Sequence, residues 1–178
     1  MSTYLRGGFV TGCGMLALWS QPHFQGITDH ETWVRELLEN GDIERQMRAG
    51  AFVPLDIHSD GLFECEVRVG DLSSPAIISP REKQYLFAKS GPYLFRNQGE
   101  ACLSGIEEIE REPGISVGRL NLTPGDYAAA VHLLSWDKEP GAWDEDGQPV
   151  ASALPEFLVL VNPASGHESF RARVESLD

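Results

Sequence analysis

A chain of 178 residues with 42% hydrophobic side chains can bury a core of its own, which excludes a disordered tail and a scaffold dependent on disulfides or metal. Its 14 Lys and Arg face 27 Asp and Glu, a formal charge of -13. That field repels phosphate backbones and anionic lipid heads, so neither direct nucleic-acid binding nor membrane binding is expected, while a basic protein partner is favoured.

In chain order, Tyr4 to Val10 and Met15 to Trp19 read as two short strands, with Thr11-Gly12-Cys13-Gly14 the right length for a hairpin loop. Thr28 and Glu31 have capping-box spacing, and Trp33 with Leu37 and Val34 with Leu38 supply apolar pairs one helical turn apart. Asn40-Gly41 is expected to end that helix. Asp42 would cap a second one, with Ile43 and Met47 on one side and Gly50 as its stop. Residues 28–49 thus form a short helical insertion.

From Phe52 the pattern turns to strands. Phe52 to Ser59 and Leu62 to Val69 flank Asp60-Gly61, a pair suited to a tight type I′ hairpin turn. Phe63, Cys65, Val67 and Val69 alternate with Glu64, Glu66 and Arg68, giving one apolar and one polar face. Residues 70–80 read as loop. Tyr85 to Ala88 and Tyr93 to Phe95 suggest another hairpin around Ser90-Gly91-Pro92. Ala101 to Ile109 fits strand or helix.

Leu122 to Tyr127 presets a type II turn, with Pro124 and Gly125 at its centre. A tyrosine opening a strand directly after such a turn resembles the tyrosine corner of Greek-key sandwiches. The strand that follows, to Leu134, is nearly apolar on both faces and reads as central. Phe157 to Val161 is a continuous apolar run, and Phe170 to Val174 alternates with arginines as an edge strand would. Nine or ten strands exceed what one ordinary sheet of about 4–6 holds, so two packed sheets are expected. The fold class is mainly β: a two-sheet antiparallel β-sandwich, Greek-key-like, as a single domain over residues 1–178.

Three cysteines (Cys13, Cys65, Cys102), odd in number and without a CxxC pair, give no disulfide framework or zinc site and suit a reducing compartment. The first residues lack a signal-peptide core, so a cytoplasmic location is expected. No GxSxG elbow or phosphate-cradling loop is present, and no Cys/His pair carries family context, which points away from an enzyme. No cofactor is implied.

Two constellations could carry function. The long acidic loop from Asp137 to Pro155 places Trp136 and Trp143 among Asp137, Glu139, Asp144, Glu145 and Asp146. Aromatic anchors ringed by carboxylates suit docking on a basic protein surface. The resulting expectation is an acidic soluble protein of bacterial type, a non-enzymatic protein-binding module of inhibitor or immunity-like kind. The alternative is a small-ligand or metal site at Asp56, His58 and Asp60. There, oxygens before Gly61 resemble the opening of an EF-hand loop, although His58 replaces an oxygen ligand and Val67 occupies the twelfth position.

Overall fold

A computed structural model describes residues 4–174 and 177. Among these residues ten strands form two sheets. The larger sheet runs β1 (Tyr4–Thr11), β4 (Gly61–Val69), β10 (Phe157–Pro163), β9 (Gly125–Leu134), with β5 (Leu86–Lys89) and β6 (Tyr93–Asn97) both on the far edge of β9. The smaller runs β3 (Phe52–Asp56), β2 (Met15–Ser20), β7 (Ala101–Gly105), β8 (Gly118–Leu120). All pairs are antiparallel except β4 with β10, where Phe157 to Val161 run parallel to Cys65 to Val69. That parallel strand is buried on both faces, which accounts for its unbroken apolar sequence.

The sandwich core lies between the sheets. Cys65, Val67, Val131, Phe157, Val159 and Phe95 of the larger sheet meet Leu16, Leu18, Val53, Leu55 and Leu103 of the smaller. Directly paired residues share a face, so Met15, Ala17 and Trp19 point the other way, yet they too are buried. The reason is a helical hairpin, α1 (His30–Leu37) and α2 (Asn40–Ala49), that buries Leu37, Ile43 and Met47. Trp33 ties it down by donating its indole N–H to the Ile106 carbonyl at 2.9 Å. The larger sheet is also covered outside. Leu134, Leu158, Leu160, Leu154 and Ala76 form a second apolar cluster there, with Trp136 and Tyr85 packed against it.

The helices begin elsewhere than the spacing predicts. Asp29, not Thr28, caps α1: its carboxylate accepts the Thr32 N–H at 2.8 Å while the Thr32 hydroxyl oxygen accepts the Asp29 N–H at 3.1 Å. Asn40-Gly41 opens α2 rather than closing α1, and Asp42 lies in its first turn. Gly50 does end α2, with φ 75°. A third helix, α3 (Pro80–Gln84), follows the stretch read as loop and overlaps it at Pro80; Ser79 and Glu82 cap it.

Three expected hairpins are not hairpins. β1 and β2 pair in different sheets, as do β3 and β4. The chain crosses from sheet to sheet at Ile57 to Asp60, where His58 takes φ 58° and Gly61 φ 151°, in place of a two-residue turn. The Ile57 and His58 amides both donate to the Gly14 carbonyl and fix this corner. β5 and β6 lie end to end along β9. Ser90 bridges the gap between them: its N–H donates to the Val131 carbonyl and its hydroxyl accepts the Val131 N–H.

Ala101 to Gly105 is strand, followed by a 3-10 turn at Ile106–Glu108. Tyr127 makes the expected corner, its hydroxyl donating to the Thr123 carbonyl at 2.8 Å. Gly125 does not take positive φ, so the type II turn is not formed. The expected edge strand at 170–174 reduces to one isolated bridge, Tyr93 with Arg171, and Arg171 lies over the Tyr93 ring. Among the described residues no helix is long and apolar enough to cross a membrane.

Candidate functional site

The acidic loop leaves β9 and folds over the outer face of the larger sheet. Trp136 roots it, half-buried against the second apolar cluster. A 3-10 turn at Trp136–Lys138 then turns the chain out. The Trp143 ring packs on Trp136, centroids 4.7 Å apart and planes tilted by 46°. Its indole N–H donates to the Asp137 carbonyl at 3.2 Å, yet Trp143 stays 49% exposed. A large aromatic fixed in place and still open to solvent is preorganised for contact.

The carboxylates divide into two groups. Glu139 serves the loop itself: Arg81 of α3 grips it with two bonds of 2.7 Å and also donates to the Ser152 carbonyl. Those bonds hold the Glu139 carboxyl below its ordinary range. Asp144 closes the tip, accepting the amides of Asp146 and Gln148. Beside it, Trp143 bridges Pro149 in a minimal antiparallel link. Asp137, Glu145 and Asp146 are exposed, and none of the ion pairs found among the described residues engages them. The structure thus brings the seven residues into one loop while separating those that build it from those that face outward.

Beneath the loop lies a pocket of about 330 Å³, walled by Arg6, Leu62, Glu64, Trp136, Leu154 and Glu156. Arg6 is engaged by Glu64 at 3.1 Å and by the Ala153 carbonyl at 2.6 Å. Burial, and then the charge of Asp137, push the Glu156 carboxyl above its ordinary value. Arg6, Glu64 and Glu156 come from three separate stretches of sequence. Nothing local marks them as neighbours, and only the β1–β4–β10 pairing brings them together.

The alternative site is also assembled. His58 Nε2 lies 3.2 Å from an Asp56 oxygen, with the Asp56 side chain 6% exposed. Both line a hollow of about 650 Å³, with Asp60 and Cys13 beside them and Trp33, Leu37 and Ile43 of the helical hairpin opposite. His58 is the one non-glycine residue at positive φ among those described. No group of three or more His, Cys, Asp or Glu side chains suited to a metal ion is found among the described residues. Cys13, exposed here, has its thiol pushed up by burial and by Glu107 and Asp60, which disfavours a reactive thiolate.

No family model matches the chain, and no curated protein matches it. Two solved structures share its fold. One is described as crocagin biosynthetic gene J, with a TM-score of 0.55 and 15% identity over 92% of this chain and 97% of that one. The other is ComJ, inhibitor of the DNA degrading activity of NucA, from Bacillus subtilis, with a TM-score of 0.51 and 8% identity over 92% of this chain and 99% of that one. At these identities the likeness shows a common two-sheet architecture.

Proposed function

We propose that this chain is a non-enzymatic protein-binding module, inhibitor-like in action, whose acidic tryptophan-bearing face docks on a basic protein. The observation that carries the reading is Trp143, fixed on Trp136 and half exposed beside Asp137, Glu145 and Asp146, which no ion pair among the described residues engages. An aromatic anchor already held in place and rimmed by unpaired carboxylates suits a basic surface, which would supply both a cover for the ring and counter-charges for the rim. The net charge of -13 would steer such a partner at long range. The neighbour ComJ, an inhibitor of a DNA-degrading activity, lends support. Proteins that grip a phosphate backbone present basic surfaces, so an acidic inhibitor meets them with a complementary field.

The test is capture from source-cell lysate at low and high salt, with retained proteins identified by mass spectrometry. A basic protein held at low salt, much weakened at high salt and lost with Trp143→Ala supports the reading. Absence of any partner that responds to Trp143→Ala overturns it.

A second reading rests on the hollow beside Asp56 and His58: a small-ligand or metal site, with enzymatic use of it as a possible extension. Thermal shifts with calcium, zinc and manganese test its metal form, since an ion that binds only the native state raises its stability. No shift with any of them removes that form.

A further inference from the structure

The pocket under Trp136 continues the proposed binding face. Trp136 is wall to the pocket and seat to Trp143, and Pro149, which bridges Trp143, lines the pocket too. Its volume of about 330 Å³ lies at the low end of the range of roughly 300–1,000 Å³ usual for ligand pockets, enough for one side chain. Leu62, Val150 and Leu154 supply apolar wall, and Trp136 supplies aromatic wall.

The charges in and around this pocket do not balance. Arg6 is occupied by Glu64 and the Ala153 carbonyl, and Arg81 by Glu139. Glu156 and Asp137 remain, close enough that one raises the proton affinity of the other, and no ion pair among the described residues neutralises either. A partly desolvated carboxylate in that position gains from any cation brought to it. An apolar occupant would bury Glu156 further without a counter-charge. A multiply charged metal ion would need more ligands than converge here.

We propose that this pocket seats an arginine side chain of the protein partner, its guanidinium paired with Glu156 and its flat face laid on the Trp136 indole. Arginine fits better than lysine because a planar, weakly hydrated cation both stacks on an aromatic face and pairs in fixed geometry with a carboxylate. The assignment rests on the binding-face reading and adds to it a specific contact.

The probe is a blocked tripeptide, acetyl-Gly-Arg-Gly-amide, titrated into the 15N-labelled full chain and followed by amide and indole shifts. Citrulline and lysine versions serve as comparisons. The expected result is saturable shifts at the Trp136 indole and at amides of residues 150–156, absent with citrulline and weaker with lysine. Glu156→Gln should weaken arginine binding about tenfold, the size of one charge-assisted contact. Ala151→Phe, which narrows the pocket from an exposed position and alters no charge, should abolish the shifts.

No saturable shift, an equal response to citrulline, or indifference to Glu156→Gln or Ala151→Phe overturns the pocket assignment. An equal response to lysine overturns the choice of arginine. The two proposals fail separately. If lysate capture depends on Trp143 but neither the peptide nor Glu156→Gln has an effect, the pocket falls and the face stands. If capture is indifferent to Trp143, the face itself falls.

Discussion

The rings of Trp136 and Trp143 lie 4.7 Å apart, one rooted in the apolar cluster outside the larger sheet and the other 49% exposed. The pair therefore divides its labour: Trp136 is a structural anchor and Trp143 is what it presents. Replacing each by alanine should separate the two roles. Trp143→Ala is expected to change unfolding free energy by about 0.5–1 kcal/mol while removing partner capture. Trp136→Ala should cost about 2–3 kcal/mol and remove capture as well, because the loop loses its root. Urea denaturation beside the capture assay reads both; equal stability losses would refute the division.

Loop position also depends on the ion pairs of the outer face. Arg68 bonds both Glu66, which is 4% exposed, and Glu82 in the first turn of α3. Burial pushes the Glu82 carboxyl up, but the bonds from Arg68 and Ser79 outweigh it and hold the group below its ordinary value. Arg68→Met should cost about 3 kcal/mol because it strands the buried Glu82, whereas Glu66 keeps Arg6 at 3.7 Å. Adding Glu82→Gln should restore part of that loss. A double variant no more stable than the single one would show that Glu82 does not need its partner.

His132 is buried in β9, with Nδ1 lacking a hydrogen-bond partner among the described residues. Burial holds its pKa below the ordinary value, assisted by Lys89 and opposed by the neighbouring Leu158 and Ala130 main chain and by the charge of Glu82. The unfolded chain therefore takes up this proton at a higher pH than the folded one does. Its contribution to stability is complete above about pH 6.5 and is lost as pH falls from there through the lowered folded value. Between about pH 7.5 and 5.5 the wild type should lose more stability than His132→Leu, which titrates nothing at this position. Parallel losses would contradict this.

Tyr127 joins the start of β9 to the turn before it through two bonds of its hydroxyl, one to the Thr123 carbonyl at 2.8 Å and one with the Thr123 hydroxyl at 2.9 Å. Tyr127→Phe should cost about 1 kcal/mol in chemical denaturation with the transition slope unchanged. No measurable cost would make the corner incidental.

Which face of a strand is apolar can be read from alternation, as at Phe63 to Val69, and a central strand from apolar residues on both faces, as at Ala128 to Leu134. Pairing cannot. In a sandwich both sheets ask for the same period of two, so β3 followed by β4 looks like a hairpin whether the chain folds back or crosses over. The crossing turns on His58 at positive φ, fixed by the distant Gly14 carbonyl, which no local signal marks. Helix α3 goes unread, although Ser79 and Glu82 have capping-box spacing, because it is five residues long and starts at Pro80, where the loop reading ends. The acidic loop stood out by composition. That Glu139 and Asp144 are consumed inside it, while Asp137, Glu145 and Asp146 face out, depends on Arg81 and on the bonds at the loop tip.

The decisive measurement is the association of the captured partner with wild type and with Trp143→Ala, by surface plasmon resonance or calorimetry, at low and at high salt. A binding face built on Trp143 and its acidic rim predicts two changes. Association slows steeply with salt for both proteins, and affinity drops about thirtyfold or more in the variant, the loss of an interface anchor worth roughly 2 kcal/mol. An affinity unchanged by Trp143→Ala at both salt concentrations would contradict it.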